Sequence, residues 1–434
     1  MSNVKGTTDY YGVEQAERSR MIRQMEELFA LYDYEGIETA ILNDKELLTA
    51  KYSGGDEIVQ EMYTLSDRGQ RELGLRYDLT VPFAKLVAAE AGLSLPFRRY
   101  ELGKVFRDGP VKRGRLREFT QCDVDVVGIP GPEAEAELLS LAARVYEKLG
   151  IPVELRWNNR RFLSEWLYAA GIAEELAQTV MLTLDKIAKI GREAVRAELV
   201  DKGVPQPAAD IVLKAIAAES GSDDDPSLAF EQLCAAFGVG DLPGAAEVRS
   251  LLALLDSVGL SSICRFDPSL SRGLSFYTGT VYEAFDASGS YTSSLGGGGR
   301  YDAIIGQLAG NSEVQYPTVG FSFGLEPIME ITRERLAPVE TPPVIVVPIG
   351  GMSAEALRTA NAIRACGIRT RLSPTGRKVG KALASAASAG CRFAVLIGED
   401  EAQSDMVQLK DMIDRTEERL PVEEAIYRIE RVLL

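Results

Sequence analysis

Arg107 closes the run Tyr100-Glu-Leu-Gly-Lys-Val-Phe106, and Lys112-Arg-Gly-Arg115 follows at the turn before the next strand-like segment. Guanidinium forks fixed at a strand end suit a triphosphate or a phosphoryl group in transfer, because their planar donors meet phosphate oxygens in pairs. Arg272, in Ser271-Arg-Gly-Leu-Ser-Phe-Tyr-Thr-Gly279, is a second arginine beside glycine and two aromatic residues. Taken alone, that setting reads as surface packing. Leu295 precedes four consecutive glycines, Gly296 to Gly299, and then Arg300-Tyr-Asp302. Such a run lets a backbone approach a ligand closely, and it equally suits a bulge or a flexible turn. Gly376-Arg-Lys-Val-Gly-Lys-Ala382 is not a Walker loop, since it has three residues between its glycines and Ala382 where a magnesium-binding hydroxyl must stand.

Histidine is absent from all 434 residues. Its absence removes Ser–His and Cys–His nucleophile pairs, the usual zinc sites and any imidazole acid or base. Whatever chemistry occurs uses carboxylates, arginines, backbone dipoles or a metal held by oxygen. Cys122, Cys234, Cys264, Cys366 and Cys391 are far apart with no CxxC pair, and they read as reduced thiols rather than staples.

The net charge of −16, from 48 Lys+Arg against 64 Asp+Glu, opposes indiscriminate approach to nucleic acid. Two segments depart from it. Between Phe97 and Arg117 eight basic residues face only Glu101 and Asp108, and Arg364, Arg369, Arg371, Arg377, Lys378 and Lys381 have no acid among them. One such patch is as compatible with solvated surface as with binding, whereas two in separate parts of the chain fit a long polyanion.

The elements that must position these groups follow from periodicity. Length and a 46% hydrophobic content bound the chain to two or three domains with sizeable cores. Residues Glu14 to Asp33 have helical spacing, and Gly36 to Leu42 alternates as a strand would. Tyr63 to Leu65, Leu73 to Tyr77, Tyr100 to Phe106 and Phe119 to Val127 read as strands, with helices at Val81 to Ala91 and Pro132 to Leu149. This order favours an α+β fold with a mainly antiparallel sheet. A helical insertion is expected over about Arg161 to Gly259, broken at Gly203-Val-Pro205 and at the polar run Ser220 to Pro226, before strands resume at Gly279 to Phe285 and Thr318 to Phe323. The first domain thus spans residues 1–332, a proline-rich linker 333–343, and residues 344–434 alternate strand and helix as a small α/β domain. No apolar run is long enough for a membrane span and the N-terminus lacks a signal-peptide layout, so the expected location is the cytoplasm.

Taken together, Leu75-Arg-Tyr-Asp-Leu-Thr-Val-Pro82, Arg99 to Arg107, Arg113-Gly-Arg-Leu-Arg-Glu-Phe-Thr-Gln-Cys-Asp-Val-Asp125, Arg272 to Thr278 and Gly298-Gly-Arg-Tyr-Asp302 resemble the class II aminoacyl-tRNA synthetases, and among them the histidyl-tRNA synthetases. The resemblance runs nearly end to end. It implies an antiparallel catalytic sheet with a helical insertion and a C-terminal α/β anticodon-binding domain. It also implies ligation of L-histidine to tRNA(His) through an adenylate, with ATP as substrate, Mg2+ screening the triphosphate, and a homodimer.

By the same resemblance Asp78, Thr80 and Gln121 hold the substrate's amino group, and Asp125 and Tyr277 receive its imidazole, with Phe276 and Tyr301 beside them. Arg107 grips the α-phosphate, Arg115 and Glu118 join the ATP site, and Arg272 neutralises charge as the amino-acid carboxylate attacks. Carboxylate and phenol can bond both ring nitrogens, and positioning with electrostatics carries adenylation without a protein nucleophile.

The chain departs from the family pattern at several positions. Gly109 replaces the glutamate two residues after the second-motif arginine, and Pro327 replaces the arginine that ends the third motif. Ser275-Phe276 replace Asp-Tyr, and Ala40 replaces a proline of the dimer motif. A divergent second copy of the synthetase fits these changes. Two other readings remain at this level: a catalytically impaired, synthetase-like regulator that senses histidine or tRNA, and an enzyme that activates another amino acid for a carrier protein. The missing histidine fits a ligase whose own synthesis survives a shortage of the amino acid it charges.

Overall fold

The strands form, in chain order, as β1 (Glu35–Gly36), β2 (Leu42–Asp44), β3 (Thr64–Ser66), β4 (Glu72–Leu75), β5 (Phe97–Phe106), β6 (Glu118–Val127), β7 (Val153–Asn159), β8 (Cys264–Phe266), β9 (Thr280–Asp286), β10 (Gly296–Arg300) and β11 (Thr318–Gly324). The remaining five are β12 (Val344–Pro348), β13 (Thr370–Leu372), β14 (Phe393–Ile397), β15 (Met406–Asp411) and β16 (Glu417–Pro421). The computed structural model describes residues 2–49, 60–90, 92–219, 226–271, 276–333 and 342–433. The chain divides into two units, Met1–Ala337 and Pro338–Leu434.

The first unit is built on an eight-stranded sheet in the order β1-β5-β6-β11-β10-β9-β7-β8, antiparallel except where β1 meets β5 and β7 meets β8. Alternation along β6 gives its two faces opposite chemistry. Cys122, Val124 and Val126 point into a core with Met21, Met25 and Phe29 of the Gly12–Leu31 helix and with Leu138 and Leu139 of the Glu133–Lys148 helix. Gln121, Asp123 and Asp125, on the opposite face, are buried too. Burying three polar side chains in a row on one strand costs stability unless they are partnered, so this face is where function is to be sought. Behind the sheet, buried Arg18 pairs with Glu326 at 3.0 Å, and the backbone N–H of Thr120 donates to the same carboxylate.

Two expectations are corrected. The Gly36–Leu42 run is not one strand: β1 and β2 are separated by an irregular segment, because the Thr39 N–H and hydroxyl both donate to the buried Glu101 carboxylate at 2.9 Å instead of to a neighbouring strand. The four glycines are neither bulge nor flexible turn but β10, paired on both sides with β9 and β11. Helices run from Arg160–Ala169 to Pro243–Ser257 across the stretch where a helical insertion is expected, and they pack on the sheet. Phe162, Trp166, Val248 and Leu251 share one core with Leu155, Trp157 and Phe266 of the sheet. Residues 220–225 of the polar run and 334–341 of the linker lie outside the described residues.

In the second unit β12 pairs parallel with β13 and β14, as the strand–helix alternation predicts, with helices Ser353–Ala365 and Val379–Ser388 between them. An antiparallel β15–β16 hairpin and the Val422–Leu433 helix complete it. All five cysteines are thiols. Among the described residues no helix is long and apolar enough to cross a membrane.

Candidate active site

Register lays the polar face of the sheet out as rows about 7 Å apart, two residues along each strand. One row is Gly103–Gln121–Gly324, the next Glu101–Asp123–Ser322–Gly297, and the next Arg99–Asp125–Gly320–Gly299. The glycines are what make room. A Cβ on Gly320 would run into Asp125 Oδ1, and one on Gly299 would stand 2.9 Å from a carbon of the Tyr277 ring. Asp125 therefore lies across Gly320 and Tyr277 across Gly299, on adjacent strands of a single row. The glycines thus leave the space over the sheet that Asp125 and Tyr277 occupy.

Tyr301, at the end of β10, donates its hydroxyl to Asp125 Oδ1 from a fully buried position. Burial first, and then the Asp125 charge, hold that phenol well above its usual range, so it stays a donor. Phe276 packs on Tyr277 with ring centroids 4.3 Å apart and meets Tyr301 edge-on at 6.0 Å. Gln121 donates from Nε2 to Ser322 Oγ at 2.7 Å, while its Oε1 is buried without a partner. An orphaned acceptor of this kind is suited to a ligand donor. Asp78 is buried and accepts from the Val81 N–H at 3.1 Å, anchoring the start of the helix whose first residue is Thr80.

Arg107 follows β5 directly. Its Nε donates to the Tyr77 carbonyl at 3.1 Å and its guanidinium lies 5.0 Å over the ring of Phe119, on the same face as Gln121. Glu118 instead pairs with Lys104 at 2.7 Å, and Arg115 is held by Glu61. Glu61 also borders Gly109: a Cβ there would stand 2.6–2.8 Å from the Glu61 carboxyl, and the Asp108 N–H donates to the Glu61 carbonyl at 2.6 Å. Pro327 sits in the first turn of the Leu325–Thr332 helix, where its missing N–H costs nothing. Arg272 and Ser275 lie outside the described residues.

The Phe97–Arg117 patch is less basic than its sequence. Arg98 pairs with Glu137, Arg99 with Asp125, Arg113 with Glu330 and Arg117 with Asp108. In the second unit Arg371, Arg377, Lys378 and Lys381 are all exposed. Sequence reasoning passed over Arg99, Asp123, Ser322, Phe119 and Glu61. Arg99 and Asp123 were visible only as charges at strand positions on the same face as Asp125, a face that periodicity alone marks as half of a sheet and not as a pocket.

The chain matches the family model for histidyl-tRNA synthetase over residues 6–328 and that for an anticodon binding domain over residues 343–431. It is 43% identical over 422 residues to histidine–tRNA ligase 1 of Bacillus anthracis, covering 97% of this chain and 97% of the relative. Against histidine–tRNA ligase 2 of Shouchella clausii the identity is 41% over 428 residues, with 96% of this chain and 98% of the relative covered. The fold superposes on the crystal structure of histidyl-tRNA synthetase from Nostoc sp. PCC 7120 with a TM-score of 0.81 at 25% identity, over 100% of this chain and 99% of that one. With buried polar side chains laid over glycines on an antiparallel sheet, and matches of this extent in both units, the chain belongs to the histidyl-tRNA synthetase family of class II aminoacyl-tRNA synthetases.

Proposed function

We propose that this protein ligates L-histidine to tRNA(His) at the expense of ATP, with recognition and chemistry assigned to the pocket on the β6 face. The observation that carries the reading is the row that sets Asp125 and Tyr277 side by side over Gly320 and Gly299. A carboxylate and a phenol so placed bond both nitrogens of an imidazole, and a site built on those bonds rejects side chains that lack them. The orphaned Gln121 Oε1, with Asp78 and Thr80, takes the α-ammonium group.

Arg107 holds the α-phosphate, with Phe119 beneath it as a flat surface for the base. The histidine carboxylate oxygen attacks the α-phosphorus, the bond to the β-phosphate breaks, and pyrophosphate leaves. Arg272 is assigned to the charge that develops there. The terminal ribose hydroxyl of tRNA then attacks the adenylate carbonyl and displaces AMP. Each step needs alignment and charge stabilisation rather than a protein nucleophile, which suits a chain without histidine. Among the described residues no cluster of three Cys, Asp or Glu side chains could hold a metal. Magnesium, which keeps most of its shell as water and phosphate oxygen, is assigned to the nucleotide as MgATP.

The exposed cations Arg371, Arg377, Lys378 and Lys381 are assigned to the tRNA backbone. A homodimer working in the cytoplasm completes the reading, with sedimentation as its check. The regulator alternative is not favoured, since the curated relatives are named as ligases over nearly their whole length and an anticodon-binding domain is retained. Histidine-dependent exchange of labelled pyrophosphate into ATP tests the activation step. Its absence in a folded, ATP-saturated sample, or equal exchange with other amino acids, refutes it.

A further inference from the structure

The pocket face carries more charge than substrate recognition requires. Arg99 is completely buried, with its guanidinium 4.3 Å over the Phe83 ring, NH2 at 2.6 Å from Asp125 Oδ2 and NH1 at 3.8 Å from Glu101 Oε2. Asp123 is buried two residues before Asp125 on the same face of β6. Its contacts are the Ser322 hydroxyl and, at 3.4 Å, Gln121 Nε2. The charged and titratable groups facing Asp123 are Arg99 and Glu101 from β5, Asp125 from β6, Asp78 from the loop before the Thr80–Ala89 helix, and the Tyr301 phenol. Glu101 is already compensated by Arg76 NH1 at 2.8 Å and by Thr39. Among the described residues Arg99 pairs with Asp125, whereas Asp123 meets only neutral hydrogen-bond partners.

Two buried carboxylates this close do not both ionise cheaply, and a cation touching only one of them decides which does. We propose that Arg99 makes the two carboxylates unlike: it holds Asp125 ionised as the acceptor that reads the substrate's ring N–H, and it leaves Asp123 to carry the proton. Arg99 is thus a positioning residue for specificity and touches no substrate atom. Burial, the largest cause, pushes Asp123 up to about 7, with Arg99 pulling it down and Asp125 pushing it up. The inference rests on the proposed activation of histidine and names the device behind its selectivity.

The test is pyrophosphate exchange at limiting and saturating histidine, as a function of pH, in the full chain. The substrate's own ionisations are common to all variants, and the protein has no imidazole to confuse the profile. Arg99→Met lowers kcat/KM for histidine and moves the acid limb up by about one to three pH units, with kcat changed far less; Arg99→Lys restores the limb. Adding Asp123→Asn to Arg99→Met brings the limb back down. In the wild-type background Asp123→Asn leaves kcat/KM unchanged near pH 6, and the wild type gains on it as pH rises through about 7. A loss on Arg99→Met that is the same factor at every pH, or an Asp123→Asn ratio flat with pH, overturns the inference. Urea unfolding of the same variants reads it without activity: Arg99→Met must cost more stability near pH 8 than near pH 5, and Asp123→Asn must reduce that excess. A wild type that shows no exchange while these unfolding differences hold removes the proposed function alone; unfolding differences independent of pH remove the inference.

Discussion

Asp123→Asn should stabilise the first unit, and by an amount that depends on pH in a defined way. Burial raises the Asp123 pKa from 3.8 to about 7. A raised carboxylate contributes stability that is fully present below the unfolded pKa and is lost as pH climbs through the folded one, because the unfolded chain then releases a proton that the folded chain retains. Each unit of difference is 1.36 kcal/mol, so the wild type gives up on the order of 4 kcal/mol between about pH 4 and pH 7 and loses little more above that. Asparagine keeps the shape and an acceptor for Ser322 but has no charge to lose. The variant should match the wild type near pH 4, pull ahead by about 1.4 kcal/mol per unit, and level off above pH 7. Trp157 and Trp166 are the only two tryptophans, both buried in the first unit, so their fluorescence during urea unfolding reports that unit alone. A stability difference that is flat from pH 4 to 8, or a variant less stable than wild type near pH 8, would refute the assignment of the proton to Asp123.

Gly320→Ala puts a methyl group where Asp125 Oδ1 lies; kcat/KM for histidine in pyrophosphate exchange should fall by about a hundredfold or more while the tryptophan emission keeps its native form. Replacing Arg371, Arg377, Lys378 and Lys381 together by alanine should leave pyrophosphate exchange intact and raise KM for tRNA in charging, with the salt dependence of tRNA binding shallower by about one unit of slope for each phosphate no longer neutralised. Pulse labelling during histidine starvation should find this chain still synthesised while histidine-containing proteins fall, since none of its 434 codons calls for that amino acid; equal losses would remove that meaning from the composition.

Much of the fold was legible because burial writes itself into periodicity. The Gly12–Leu31 and Glu133–Lys148 helices and strands β5, β6 and β11 fall where apolar spacing puts them. The β15–β16 hairpin was not readable for a physical reason: β16 is an edge strand, Glu417-Glu-Arg-Leu-Pro421, mostly exposed and without an apolar face to alternate. Thr39 was misread because its N–H satisfies a carboxylate, and side-chain acceptors leave no period in a sequence. The basic segment around Arg107 overstated its field, since Glu137, Glu330 and Glu61 come from elsewhere in the chain and pairing is set by the fold.

The glycine run shows why a site can be harder to read than the fold that carries it. Four glycines in sequence argue for freedom, and β propensity argues against a strand. In the sheet the same residues are confined on both sides, and what they supply is absence of side chain at alternate positions on one face, matched by Gly103, Gly320 and Gly324 on neighbouring strands. Only register brings these separate glycines into rows. Once they are in rows, the side chains between them, Gln121, Asp123 and Asp125, have space to turn over the sheet. That space is what accommodates a buried arginine and two buried carboxylates on this face, and it costs the strand the packing that β-branched residues would have supplied. On the proposed function the sheet gives up stability here for its ligand, so the largest stabilising substitutions should be found among the buried polar residues of this face.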